Sequence, residues 1–210
     1  MTDRAPLTRQ RIASAAVAFI DEHGLAALSM RKLGAELDVE AMSLYNHVTN
    51  KDDLLGAVTD SIYAEILADY GDGGEGWRAK ATRMARAYRA AATRHPNMVA
   101  ILVDKPVQAT EGLEFMSRVV SIFDELTDDL EQASMAFHIA ASWVIGTIIQ
   151  ENGVMTRLAA GEGVTEDNVP VRYLPIVRFK EACVDARTPE ERFDEGLEAI
   201  LDGLEQRYFA

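Results

Sequence analysis

The stretch that decides the fold lies within residues 28–55: Leu28-Ser29-Met30-Arg31-Lys32-Leu33-Gly34, then Asp38-Val39-Glu40-Ala41-Met42-Ser43-Leu44-Tyr45-Asn46-His47-Val48, then Asn50-Lys51-Asp52-Asp53-Leu54-Leu55. Ser29 is a helix-capping residue, and Met30, Leu33, Gly34 and Leu37 behind it fall on one face of a short helix. Only Asp38 and Val39 separate this helix from a second, predicted over 40–48, in which Leu44 and Val48 at i, i+4 look inward. Two short helices joined by so tight a turn, the second exposing small and polar residues, let a helix enter the major groove of DNA. The outward residues are Ala41, Met42, Ser43, Tyr45, Asn46 and His47. Hydroxyl, amide and imidazole groups hydrogen-bond to base edges or phosphates, and Met42 can press on a thymine methyl. Asn50 with Asp53 three residues on is a capping-box variant, opening a longer helix with Leu54, Leu55, Val58, Ile62 and Ile66 in period.

Outward from this core the chain reads as helices throughout. Before it, Ile12, Ala15, Ala16, Phe19 and Ile20 mark a helix over 8–23 that Gly24 stops. After it, Gly71-Asp72-Gly73-Gly74-Glu75-Gly76 cannot continue a helix and marks a boundary between residues 1–69 and 77–210. These letters match G-x-G-x-x-G, but a long helical pattern precedes them where a dinucleotide fingerprint needs a strand. Trp77, Ala81, Met84, Tyr88 and Ala91 keep helical spacing up to His95-Pro96, and 98–103 is a short apolar turn or helix. Leu113, Met116, Val120 and Phe123 define a further face, then Leu130, Ser134, Phe137, Ala141, Val144 and Ile148 a packing seam. Residues 153–175 read as a long mobile loop, and Phe193, Leu197, Ile200, Leu201 and Leu204 as the inner face of a last helix. With no run of period-two alternation the fold class is all-α.

Composition narrows the function. The 210 residues are 48% hydrophobic and 26% charged, the balance of a folded globular protein with a sizeable core. Cys183 is the single cysteine, so no internal disulfide and no multi-cysteine metal site can form, and a cytoplasmic home is expected. Residues 132–150 carry no Asp, Glu, Lys or Arg, yet Gln132, Ser134, His138, Ser142, Thr147 and Gln150 interrupt them, so a buried or interface helix is expected and no membrane span. The chain has no G-x-S-x-G, phosphate-loop lysine motif or H-E-x-x-H, and its histidines at 23, 47, 95 and 138 lack metal-ligand spacing. No catalytic residue, metal or cofactor is therefore expected.

Net charge is −13, from 21 Lys and Arg against 34 Asp and Glu, and the first 60 residues carry six cations against nine anions. Composition alone thus argues against a polyanionic partner, and any case for DNA rests on position. Arg31 and Lys32 start one helix and Lys51 starts another, where backbone N–H groups also attract phosphate.

The motifs Leu28-Ser29-Met30-Arg31-Lys32-Leu33, Leu44-Tyr45-Asn46-His47 and Asn50-Lys51-Asp52-Asp53-Leu54-Leu55 resemble the N-terminal domain of TetR-family transcriptional regulators over about residues 7 to 65. Trp77, Arg94-His95-Pro96, Phe193-Asp194-Glu195-Gly196-Leu197 and Leu201-Asp202-Gly203-Leu204 are similar to the tetracycline-repressor type of C-terminal domain. The resemblance implies a homodimeric repressor released by a small molecule from a near-palindromic double-stranded operator, with reading heads ~34–36 Å apart. By this resemblance Arg31 and Lys51 hold phosphates, Ser43, Asn46 and Met42 read bases, Tyr45 and His47 contact the backbone, and Lys32 and Thr49 complete the set. Asp38 departs from the usual Gly of the turn, although Asp tolerates a left-handed backbone. Residues expected to line an effector cavity are His95, Met98, Phe115, Met116, Phe137, His138, Trp143 and Gln150. The helices over 131–150 and at the chain end supply a four-helix dimer interface. Alternatives are an activator, a DNA-binding protein without an effector, and an all-α enzyme.

Overall fold

A computed structural model describes residues 6–159, 169–185 and 187–208. Among these residues there are ten α-helices and no strand: α1 (Arg9–His23), α2 (Met30–Glu36), α3 (Ala41–Leu44), α4 (Lys51–Tyr70), α5 (Gly76–Arg94), α6 (Val99–Asp104), α7 (Thr110–Asp124), α8 (Leu130–Ala159), α9 (Leu174–Asp185) and α10 (Pro189–Tyr208). The chain divides into two compact units, residues 1–122 and 123–210.

In the first unit α1 packs on α4 and α4 on α5. The period read in the sequence is the period that is buried: Ile12, Ala16 and Ile20 on α1, Leu54, Val58, Ile62 and Ile66 on α4, and Trp77, Ala81, Met84, Tyr88 and Ala91 on α5. Thr8 caps α1 through the Arg11 amide, and Gly24 ends it at φ 77° with its N–H on the Ile20 carbonyl. Between α4 and α5 the glycine segment folds over the ring of Tyr70, and Gly73, at φ 77°, leaves no room for a Cβ beside the Tyr70 hydroxyl. On α7 the inward face differs from the one expected. Phe115, Val119 and Ile122 are buried with Phe123, whereas Leu113 and Val120 are exposed. The two apolar stripes lie one position apart on the same helix, so periodicity alone did not rank them.

In the second unit α8 packs along α10. Phe193, Leu197, Leu201 and Leu204 of α10 are buried, and Thr188 and Glu191 exchange backbone bonds at its start in a capping box. The Trp143 indole lies over Gly196 and meets Phe193 at 5.4 Å between ring centroids. The expected α8 seam is buried at Val144 and Ile148, whereas Ala133, Ala136 and Ala140 take the place of Leu130, Ser134, Phe137 and Ala141. Small side chains let the helices approach closely, which turns Leu130, Met135, Ile139 and Ile149 to the outside. The stretch Leu130–Gly153 is long and apolar enough to cross a membrane by length and composition. Ser134, His138, Ser142 and Gln150 nevertheless interrupt its exposed side.

The expected loop over 153–175 is corrected at both ends. Helix α8 runs through Gly153 to Ala159, and α9 begins at Leu174 after a 3₁₀ turn at Val171–Tyr173. An interior glycine costs a long helix only about 1 kcal/mol, and Pro175 sits in a first helical turn, where its missing N–H has no partner to lose. Residues 160–168 of that loop lie outside the described residues.

Packing at Gly196 yields a testable contrast. Gly196→Val is expected to lower stability by about 1–3 kcal/mol through overpacking against the rigid indole. Gly203→Ala, on the same helix with open space around the position, is expected to raise it by about 0.5–1 kcal/mol from helix propensity. Urea unfolding of the two variants checks both signs.

Candidate nucleic-acid interface

The interface is built from the α2–α3 turn outward. Ser29 accepts the Lys32 amide and starts α2, and Leu33 and Gly34 on its inner side are buried. Gly34 is where α3 crosses. A Cβ there would stand 2.9 Å from the Val39 carbonyl oxygen and 3.2 Å from the Ala41 amide nitrogen, both backbone. The Val39 N–H in turn donates to the Gly34 carbonyl at 2.8 Å, and Asp38 takes the left-handed conformation at φ 53°. Asp38 thus fills the glycine position of the turn by adopting glycine's backbone.

The reading helix is shorter than expected. Its α-helical part is Ala41–Leu44; the Val48 N–H still reaches the Leu44 carbonyl at 3.0 Å, but 45–47 are turns, with His47 N–H on the Leu44 carbonyl at 2.9 Å and Asn46 N–H on the Ser43 carbonyl at 3.4 Å. These i to i−3 bonds wind the chain more tightly than an α-helix and bring positions three apart onto one side. Leu44 and Val48 are buried beneath. Met42, Tyr45 and Asn46 are exposed, Met42 at 75%, while Ser43 and His47 are half-buried. An apolar side chain so exposed on a surface of small polar neighbours is suited to contact with another molecule. Arg31 and Lys32 are exposed on the first turn of α2. The Lys51 ammonium donates to the Leu28 carbonyl at 2.8 Å, leaving two of its three donors for an anion. All nine expected DNA-contacting residues therefore lie on α2, α3, the turns that follow α3 and the entry to α4.

Two carboxylates share that entry, and both are paired with cations from other helices. Asp52 meets Lys105, just past α6. Asp53 meets Arg9 of α1 at 2.5 Å and also accepts the Thr49 amide at 2.7 Å. Arg9, followed by the Thr49 amide, holds the Asp53 carboxyl well below the usual carboxylate range. Half of the expected capping box is present, since Asn50 accepts the Asp53 amide; the other half is redirected to Thr49. Sequence reading missed Arg9, because 44 residues separate it from its partner.

Farther along α4, Asp60 accepts the Glu111 and Gly112 amides at 2.8 and 3.0 Å and so caps α7. His95 bridges Asp21 of α1 at 2.7 Å and Glu65 of α4 at 3.1 Å. Arg94 pairs with Asp69 at 2.7 Å, and Asn97 donates to the Ile20 carbonyl. Tyr63, Tyr88 and Phe115 cluster, with Phe115 4.9 Å from Tyr63 and 6.1 Å from Tyr88 between centroids. Burial pushes both tyrosine hydroxyls upward in pKa, so they stay neutral. Of the expected effector residues, Met98 and Phe115 are buried in this unit, Met116 is half-buried beside them in sequence, and His95 serves the bridge just described. In the other unit Phe137 lies edge-on to Phe123 at 5.8 Å, Trp143 packs on α10, His138 opens onto a surface hollow with Leu130 and Met135, and Gln150 is exposed. The eight are thus divided four and four between the two units. No group of three or more potential metal ligands occurs among the described residues.

A turn that hands one short helix over another, with an exposed reading face and a cation beside it, defines a helix-turn-helix protein. Residues 12–58 match the family model of bacterial regulatory proteins of the tetR family, and residues 70–208 that of the tetracyclin repressor-like C-terminal domain. The chain belongs to the TetR family. It is 32% identical to the HTH-type transcriptional repressor DrrR1 of Streptomyces coeruleorubidus, over 95% of this chain and 77% of that protein. It is 26% identical to the class D tetracycline repressor protein of Escherichia coli, over 96% and 90%. The crystal structure of the Streptomyces coelicolor TetR family protein ActR in complex with actinorhodin superposes with TM-score 0.72 and 27% identity, covering 95% of this chain and 96% of that one. The chain is accordingly a ligand-responsive, DNA-binding transcriptional regulator, and its family is one of regulators and not of enzymes.

Two outcomes test the geometry. Gly34→Val is expected to cost about 1–3 kcal/mol of stability, because backbone cannot give way as a flexible side chain does; chemical unfolding measures it. Asp53 has a lowered folded pKa, so its stabilisation is present above the unfolded carboxyl value of about 4 and lost as pH falls through and below it. Amide-exchange protection over 41–54, referred at each pH to the intrinsic exchange rate, is expected to fall on acidification in the wild type, and to depend less on pH in Asp53→Asn.

Proposed function

We propose that the protein is a cytoplasmic homodimeric repressor whose residues 1–69 read a near-palindromic operator and whose residues 77–210 bind an effector and dimerise, acting by binding alone with no chemical step. The observation that carries the reading is the exposed set Met42, Tyr45 and Asn46, flanked by Ser43, His47 and Thr49 and by the cations Arg31, Lys32 and Lys51. In this reading Arg31 and Lys51 hold phosphates, Tyr45 and His47 steady the backbone, and Met42, Ser43 and Asn46 meet base edges. The apolar residues that α8 turns outward, Leu130, Met135, Ile139 and Ile149, supply a dimer face.

The aromatic group of Tyr63, Tyr88 and Phe115 supports an effector that is flat and largely apolar, held by ring contact and by neutral hydroxyl donors. A tetracycline repressor and an actinorhodin-bound protein among the relatives support a small molecule in that role. The effector releases DNA to the extent that it binds the non-reading conformation better.

Binding of the purified protein to the DNA flanking its own gene, measured by fluorescence anisotropy across salt concentrations, tests the reading. Tyr45→Ala and Lys51→Ala are each expected to weaken specific binding, and Lys51→Ala to make the salt slope shallower by about one per subunit. Base-reader changes at Asn46 or Ser43 are expected to cost about 1–3 kcal/mol each while leaving that slope alone. Variants that bind any specific site as the wild type does would overturn the assignment.

A further inference from the structure

Arg9 opens α1 and carries no role in the reading above. Its guanidinium touches three parts of the interface at once. One nitrogen lies 2.5 Å from one Asp53 carboxylate oxygen and 3.3 Å from the Asp53 carbonyl; the other lies 3.1 Å from the second carboxylate oxygen and 3.1 Å from the His47 carbonyl. Asp53 passes the connection on, accepting the Thr49 amide at 2.7 Å and the Thr49 hydroxyl at 3.1 Å. His47 and Thr49 flank Val48, which is 1% exposed. The chain between the reading turn and α4 is therefore held at three consecutive residues, one by burial and two by directed hydrogen bonds.

We propose that Arg9 is a positioning residue for operator recognition: it sets the orientation of residues 45–49 through Asp53 and the His47 carbonyl, without itself contacting DNA. The proposal rests on the reading that residues 42–51 meet DNA.

Three considerations lead to it. A single turn of helix such as Ala41–Leu44 has too few bonds to hold its own shape, so its orientation comes from its neighbours. Burial of Leu44 and Val48 sets the depth of the turn, but apolar contact is non-directional and leaves rotation about the turn's axis open. A planar guanidinium with its donors in a fixed fork removes that freedom, and a lysine, a point charge on a flexible stem, cannot bridge the same acceptors. Charge argues in the same direction. Asp53 is an anion beside the phosphate-holding Lys51, so on Coulombic grounds alone its removal favours DNA, whereas loss of a positioning device disfavours it.

The test uses the full-length dimer. Operator affinity, non-specific DNA affinity and salt slope are measured for wild type, Arg9→Lys, Arg9→Ala and Asp53→Asn, well below the thermal unfolding midpoint of each. Arg9→Lys and Asp53→Asn are expected to weaken operator binding by about tenfold or more, with the salt slope at its wild-type value and non-specific affinity at the wild-type value in Arg9→Lys and no lower than it in Asp53→Asn. A residue that merely stabilised the fold would not lower operator affinity selectively in protein that remains folded. A phosphate contact predicts the opposite set: Arg9→Lys retains affinity, Arg9→Ala makes the slope shallower, and Asp53→Asn is neutral or tighter, and that set overturns the proposal. Should Arg9→Ala fail to fold, Arg9→Lys and Asp53→Asn carry the comparison.

Amide exchange without DNA supplies an independent arm. Exchange over 45–50 is expected to quicken in Arg9→Lys while α10 is unchanged, and equal exchange in mutant and wild type overturns the proposal. A wild type that binds no specific DNA would instead overturn the reading on which it rests, while the exchange arm still decides whether Arg9 orders the segment.

Discussion

Everything at the candidate interface of this protein depends on carboxylates that are already engaged. A chain of net charge −13 approaches a polyanion only where its own anions are neutralised. The first turn of α4 places Asp52 and Asp53 directly after Lys51. Arg9 takes one and Lys105 the other, each from a different helix. What remains for a phosphate is the Lys51 ammonium and the positive end of a long helix. Acidic residues in that turn also favour α4 through its dipole, so the same groups stabilise the helix and, once paired, do little to repel the ligand.

Legibility in the sequence followed the length of the pattern. Helices α1, α4, α5 and α10 run for 15 to 20 residues, and their buried faces are those read from period except at Ala15, Leu55 and Ile200, which are half-buried. The α2–α3 junction was readable because its residues are adjacent in the chain. The reading turn was overextended, since hydrophobic spacing does not distinguish i to i−3 from i to i−4 winding over so few residues. On α8 the expected seam holds at Val144 and Ile148, but nearer the start of the helix Ala133, Ala136 and Ala140 line the buried side while Leu130 and Ser134 face out. In an assembly, both faces of such a helix have a partner, and only one partner belongs to the same chain. Arg9, Asp60 and His95 act across 30 to 74 residues of sequence, a range at which no periodicity signals anything.

The effector side was the least legible. Aromatic and sulfur-bearing residues at helical spacing serve cores and cavities alike. The structure separates them by company: Phe115 joins two tyrosines from α4 and α5, whereas Trp143 packs on a glycine of α10. His95, expected in a cavity, joins α1 to α4, while His138 and Gln150, the sharper chemical signals, are exposed on α8. A polar side chain among apolar ones announces that it has a partner, but not whether that partner is a ligand or another helix.

Helix α4 is one unbroken rod of 20 residues, about 30 Å from end to end. Lys51 stands at one end, Asp60 clasps α7 at the middle, and the Arg94 pair with Asp69 holds the other. A lever of that length converts a tilt of about 5° at the held end into about 2.5 Å at the free one, close to the length of a hydrogen bond. Since a hydrogen bond tolerates only a fraction of that distance, a very small tilt of α4 is enough to carry residues at its free end out of bonding range. Stiffness along this one axis, more than any large rearrangement, is what lets a displacement at one end be audible at the other.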